Sequence, residues 1–297
     1  MTYHLSPHTV QMNAWIGLCQ LDDRFPNTLA KLGYTVDIIE PGFTIKGDYI
    51  QPDLILTAHR RKHSLLLDFK SYHLKDHQNE RYETAVQNPD QLVLRGAVQG
   101  IPPEDLNADF SYSSFGDLAE IHDLSEFDFT TVQFEAHVGD ANLRIEIIGS
   151  EGFGEPDLDD AFPIEVPHGK DIPTDYYPFD AEEEDHTQFC IYMLNAAIQL
   201  AGEYGSDPFN VDELLAESHN LWGSTSEEKK KELRSWGEDF VDKYNEKGLD
   251  EHLRKVQKDD QPAWFHKSSS FQALRNKADE FIADLEDELA QKKLGEF

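Results

Sequence analysis

Two short apolar runs joined by a polar turn constrain this chain more than any other feature. Leu54-Ile55-Leu56-Thr57-Ala58 follows Pro52-Asp53, and Leu65-Leu66-Leu67 leads into Asp68-Phe69-Lys70. Between them lies His59-Arg60-Arg61-Lys62-His63. Apolar, β-favouring runs of this length bounded by a charged connection read as strands. The spacing predicts strands over 53–58 and 65–70, paired antiparallel through 59–63. Side chains alternate along a strand, so Asp68 and Lys70 share one face while Leu67 and Phe69 take the other.

Asp53 opens the first of these strands, and antiparallel pairing sets its carboxylate beside that of Asp68. Two adjacent carboxylates repel, and a cation relieves the repulsion. Carboxylate oxygens suit Mg²⁺ or Mn²⁺. Such an ion polarises a phosphoryl oxygen and acidifies water. Lys70 is placed to orient an attacking water or to stabilise developing negative charge.

The flanking sequence supplies the rest of an α/β core. Ser6-Pro7 looks like an N-cap with Pro at the first helical position, opening a helix to about Leu21. Thr28 to Leu32 is a second helical piece, stopped by Gly33. Thr35 to Glu40 reads as a strand closed by Pro41-Gly42, and Lys75 to Val86 as a helix ended before Pro89. From Gly100 to Asp180 the pattern turns to β and loop. Strands are expected over 131–138 and 143–148 as a hairpin, and over 162–166, with a loop at 152–160. From Glu182 the chain reads as helical. The expected helices are Thr187 to Tyr204, one carrying Leu233, Trp236, Phe240 and Tyr244, and one carrying Leu274, Ala278, Phe281, Leu285 and Leu289. The expected fold is α/β, a mixed sheet flanked by helices, with a core over 1–100, an acidic β-rich insertion or subdomain over 101–181, and a helical part over 182–297.

Pro52-Asp53 followed fifteen residues later by Asp68-Phe69-Lys70, on adjacent strands, resembles the PD-(D/E)xK, or restriction endonuclease-like, nuclease superfamily. Gln78-Asn79-Glu80-Arg81-Tyr82 fits the QxxxY helix motif of the RecB-type branch. Gln78 and Tyr82 lie four apart on one helix face. The resemblance covers roughly residues 9–95. It implies a restriction endonuclease-like fold and phosphodiester hydrolysis dependent on Mg²⁺ or Mn²⁺, with DNA as substrate. Asp53 and Asp68 would hold the metal, Lys70 would assist the chemistry, and Gln78 and Tyr82 would support the site. Family members often add a Glu on the first helix. Here Thr9 to Leu21 holds no acid, Asp22 and Asp23 come just after it, and Gln11 is the substitute considered. The iron–sulfur members need four cysteines, and this chain has only Cys19 and Cys190.

The net charge of -32 is concentrated: residues 101–220 hold 29 acids against Arg144 and Lys170, whereas residues 1–100 are almost neutral. A polyanionic substrate would be repelled by such a segment. The segment is therefore expected to bind a basic protein partner, as in a subunit of a defence or DNA-processing complex, or to face away from substrate. The alternative is a catalytically inactive acidic binding protein, a DNA mimic or regulatory subunit on a nuclease-like fold. Arg60, Arg61 and Lys62 form the densest basic cluster of the core and are the candidate contacts to a nucleic-acid backbone.

Other chemistries lack their motifs. No GxxxxGK[ST] or GxSxG is present, and Gly152-Phe153-Gly154 lacks a dinucleotide-binding context. His59/His63 and His73/His77 have zinc-compatible spacing without an evident third ligand, and Asp157, Asp159 and Asp160 read as a solvated loop. Mean hydropathy is -0.60, the longest apolar stretch is too polar to span a bilayer, and the first residues lack a signal-peptide pattern. The expectation is a cytoplasmic, reduced protein without membrane contact. An exposed apolar stripe on the last helix would argue for a dimer.

Overall fold

The computed structural model describes residues 5–70, 76–115, 129–136, 139, 141–149, 152–180, 186–205, 207–246, 253–258, 261–266 and 271–295. They form two compact units, one built from Pro7–Tyr176 with Ser224–Glu228, the other from Tyr177–Gly223 with Lys229 onward.

The first unit is a mixed α/β domain. Its sheet has seven strands: β1 (Tyr34–Ile39), β4 (Leu54–Ala58), β5 (His63–Lys70), β6 (Asn107–Phe115), β7 (Thr130–Ala136), β8 (Ala141–Ile148) and β9 (Ile164–Pro167), in that spatial order. β1, β4 and β5 pair antiparallel, β5, β6 and β7 parallel, and β7, β8 and β9 antiparallel. A separate hairpin, β2 (Phe43–Ile45) and β3 (Asp48–Ile50), turns at Lys46 and Gly47, both at positive φ, the geometry of a tight two-residue hairpin loop.

Helix α1 (Pro7–Leu18) covers one face of the sheet. Trp15 donates to Ser113 Oγ at 2.9 Å and packs edge-on against Phe134, while His8 meets Phe69. The helix stops three residues short of the expected end, and Asp22 accepts the backbone N–H of Arg24 in a local turn that competes with continuing it. Helix α3 (Asp76–Val86) covers the other face, with Tyr82 stacked on Phe110 at 3.9 Å between ring centroids. α2 (Thr28–Leu32) ends at Gly33, whose φ of 90° is the left-handed cap that glycine permits. α4 (Pro89–Leu94) then leads toward β6.

The expected boundary near residue 100 is not a break in this sheet. The Asn107 N–H bonds to Lys62 O at 2.8 Å, and β6 runs alongside β5 from His63↔Asn107 to Lys70↔Ser114. The strands of 101–181 therefore extend the core sheet through the same ladder. The expected loop at 152–160 contains a short helix, α5 (Pro156–Asp159). The Asp159 carboxylate accepts the Phe153 N–H at 2.8 Å, so this acid closes a turn.

The second unit is largely helical, with α6 (His186–Tyr204), α7 (Val211–Ser218), α8 (Glu227–Glu246) and α9 (Phe271–Gly295). Asn210 and Glu213 form a reciprocal capping box at the start of α7. Leu233, Phe240 and Tyr244 of α8 and Leu274, Ala278, Phe281 and Leu285 of α9 enter one core with Trp264. The stripe considered as a contact between copies is thus buried inside its own unit, apart from Leu289, whose side chain lies outside the described residues. A three-stranded sheet of β10 (Phe209–Asn210), β12 (Gln261–His266) and β11 (Leu253–Lys258) interrupts the helices that the sequence pattern suggests. Pro262 is tolerated in the central strand because β10 pairs only with Ala263 and Trp264. Among the described residues, no helix is long and apolar enough to cross a membrane.

Candidate active site

The β4–β5 register decides the geometry. Leu54 lies opposite Leu67, and the Asp53 N–H bonds to Leu67 O at 2.9 Å, which sets Asp53 and Asp68 side by side at the open end of the hairpin. The Asp53 carboxylate accepts the backbone N–H of Phe69 through Oδ2, and Oδ1 lies 3.2 Å from His8 Nε2. Asp68 is buried, and its Oδ1 lies 2.6 Å from Lys70 Nζ. The structure thus brings Asp53, Asp68 and Lys70 together.

Burial pushes the Asp68 carboxyl up to about 6, the neighbouring Asp53 charge adds to the rise, and Lys70 and Tyr82 partly offset it. Lys70 therefore compensates the two carboxylates only in part. Tyr82, on α3, donates to Gln51 O at 3.0 Å and is also a hydrogen-bond neighbour of Asp68. Burial, reinforced by the Asp68 charge, holds its hydroxyl well above the ordinary tyrosine range. Gln78 lies on the same helix, one turn earlier, but its side chain lies outside the described residues, as do His73 and the side chain of His77.

His8 is the residue that sequence reasoning missed. The first helix has no acid, and Gln11 was the substitute considered. Gln11 is instead buried, accepting from Ser113 Oγ at 2.9 Å on the sheet face beneath the helix. The available signal was an imidazole in the first turn of α1, three residues before Gln11. Two carboxylates and an imidazole are a donor set that divalent cations accept.

The basic cluster lies elsewhere. Asp68 is five residues along β5 from His63, so the turn is about 17 Å from the carboxylates at ~3.3 Å per residue. Arg61 bonds Glu155 at 2.9 Å, Leu32 O at 2.9 Å and the Asp157 carboxylate. Lys62 bonds Asp105 at 2.7 Å, and Arg60 is exposed. Arg61 and Lys62 are therefore engaged by acids of the following segment. His63 is buried, with Nδ1 2.7 Å from Tyr34 Oη and Nε2 3.2 Å from Asp109, so both its ring nitrogens already have partners.

Sheet, covering helices and carboxylate–lysine cluster define a mixed α/β domain with an acidic, lysine-bearing centre at a strand end. Residues 7–177 match the MJECL32 domain, and the chain belongs to that family. Residues 182–297 match Domain of unknown function (DUF8601), so the two matches divide the chain close to where the compact units do. No curated protein and no solved structure matches the chain.

Proposed function

We propose that the Pro7–Tyr176 unit is a metal-dependent nuclease of the PD-(D/E)xK type that hydrolyses phosphodiester bonds in DNA. The observation that carries this reading is the juxtaposition of Asp53 and Asp68 with Lys70 on Asp68 and His8 on Asp53. Asp53, Asp68 and His8 would hold Mg²⁺ or Mn²⁺. When bound, the ion supplies a Lewis acid for the phosphoryl oxygen and acidifies a water. Lys70 offers an ammonium group to the negative charge that develops on the phosphoryl group. Tyr82 fixes the Gln51 carbonyl beside the strand end and steadies Asp68. The Phe69 amide holds one oxygen of Asp53, leaving His8 to orient the other.

A second reading has its own support: Arg61 and Lys62 are already paired with carboxylates, and residues 101–220 are strongly acidic. On that reading the chain is an inactive acidic binding protein that engages a basic partner. The deciding experiment incubates the full chain with plasmid and single-stranded DNA at low salt in Mg²⁺ or Mn²⁺. Cutting that EDTA abolishes, and that Asp68→Ala and Lys70→Ala both lose, supports the nuclease. A folded wild-type chain that cuts neither substrate in either metal sinks it and leaves the binding reading.

A further inference from the structure

Tyr112 is fully buried and stands beside the centre without belonging to any motif of it. In the parallel β5–β6 register it lies opposite Asp68, on the sheet face shared by Asp68 and Lys70. Lys70 Nζ lies 5.5 Å from the centroid of its ring. The hydroxyl donates to Asn79 Oδ1 at 2.6 Å, on the α3 turn between Gln78 and Tyr82. Phe110 meets the ring edge-on at 4.8 Å and Tyr82 at 6.3 Å. The ring is thereby fixed by the helix through its hydroxyl and by two neighbouring aromatics through its edges.

A lysine carries its charge on a flexible four-carbon stem, and ordering that stem costs rotamer entropy. An ammonium over an aromatic face within about 6 Å is attracted by the ring quadrupole, more so when water is excluded. Lys70 has a side chain only 12% exposed, with the Asp68 carboxylate on one side and the Tyr112 ring on another. Burial, helped by the Asp68 charge, raises the tyrosine hydroxyl well above its ordinary range and keeps it a donor to Asn79.

We infer that Tyr112 is a positioning residue for Lys70: its ring holds the ammonium against Asp68, and its hydroxyl ties that arrangement to helix α3 through Asn79. The placement stands on geometry alone; its consequence for cleavage rests on the nuclease reading above. The two are tested in separate arms.

The first arm needs no activity. In the full chain labelled selectively at lysine, the Lys70 signals are identified by their loss in Lys70→Arg. Their ε-CH₂ protons are expected upfield, in the ring current of Tyr112, to stay there in Tyr112→Phe and to lose the shift in Tyr112→Leu. Unshifted wild-type signals, or a shift that survives Tyr112→Leu, overturn the inference, and the wild-type measurement decides even where a variant fails to fold. The second arm measures plasmid cleavage. Tyr112→Leu is expected to lower kcat about tenfold with KM nearly unchanged, and Tyr112→Phe to recover most of it. Against the residual single-turnover rate of Lys70→Ala at high enzyme concentration, the further Tyr112→Leu change is expected to cost nothing, because residues acting as a unit are not additive. An equal loss in both backgrounds overturns action through Lys70. Wild-type chain that does not cut overturns the nuclease reading, and the first arm then decides the placement of Lys70.

Discussion

Asp53 and Asp68 stand next to each other across an antiparallel pair, yet their surroundings differ. Asp53 is tied to a backbone amide and to His8, whereas Asp68 is buried against Lys70 and Tyr82. Asp68 is the one that is desolvated beside a like charge. On the proposed metal-dependent reading, a divalent cation and a proton would compete at Asp68.

The first prediction follows from the sign of that shift. A carboxyl raised from 3.8 to about 6 favours the folded state while protonated. Its contribution is fully present below pH 4 and is lost as pH rises through about 6. Without metal, Asp68→Asn is expected to raise the urea midpoint at pH 7.5 and to have little effect at pH 4. Mg²⁺ or Mn²⁺ is expected to stabilise wild type at pH 7.5 and not the variant. Identical pH profiles for the two proteins would refute the assignment.

The second concerns His8, which touches Asp53 Oδ1 at 3.2 Å. Loss of a group that orients or joins a metal ligand set costs about 10- to 100-fold in metal affinity or activity. His8→Ala is expected to move half-saturation of cleavage by Mn²⁺ upward by that order, with the urea midpoint shifted much less. Gln11→Ala is expected to do the reverse, because Gln11 serves Ser113 in the interior. An unmoved metal titration in His8→Ala would show the imidazole to be a bystander.

How much of this could be read from the sequence depends on where each partner lies. Asp53, Asp68 and Lys70 were legible because strand alternation and one hairpin register suffice to bring them together. The helical face carrying Tyr82 follows from local spacing in the same way. His8 was not legible, since its contact with Asp53 spans 45 residues and is made by helix packing against the sheet. β6 was hidden by its serines: Ser111, Ser113 and Ser114 are buried, and Ser113 is satisfied by Trp15 and Gln11 from a distant helix. The fate of Arg61 and Lys62 was equally non-local, because their carboxylate partners lie 43 to 96 residues away. β12 lay inside the part expected to be helical, and its Pro262 falls beyond the short reach of β10.

The third prediction addresses the network at the far end of the hairpin. Tyr34, His63 and Asp109 form a chain, and Asp109 also accepts the amides of Gly154 and Glu155. A Cβ at Gly154 would lie 3.0 Å from Asp109 Oδ1, so glycine permits that approach. Burial alone would raise the Asp109 carboxyl, but His63 and the two amides outweigh it and hold it below its ordinary value. Its stabilisation is therefore present above about pH 4 and lost as pH falls through the lowered value. Asp109→Ala leaves buried donors unsatisfied and is expected to cost about 2–4 kcal/mol at pH 7. Chemical denaturation measures this. A loss under about 0.5 kcal/mol, the scale of an ordinary surface change, would mean the chain of bonds does not hold the 153–157 segment.

The last prediction isolates the hydroxyl of Tyr82. Its ring is stacked on Phe110 and closes the core on that face, while its oxygen serves Gln51 O and Asp68. Tyr82→Phe keeps the ring and removes only the oxygen, so the stability cost is expected at about 1 kcal/mol, the net worth of a hydrogen bond. The effect on the centre is expected in the pH dependence. Asp68 loses a donor that lowers its pKa, so the acid limb of the pH–rate profile should move to higher pH. At pH 7 a rise of about one pKa unit should lower the rate about twofold, and the loss should return at pH 8.5, where Asp68 is ionised in both proteins. A variant that loses activity equally at both pH values would place the role of Tyr82 in packing rather than in the electrostatics of Asp68. A variant with wild-type rates throughout would remove Tyr82 from the centre altogether.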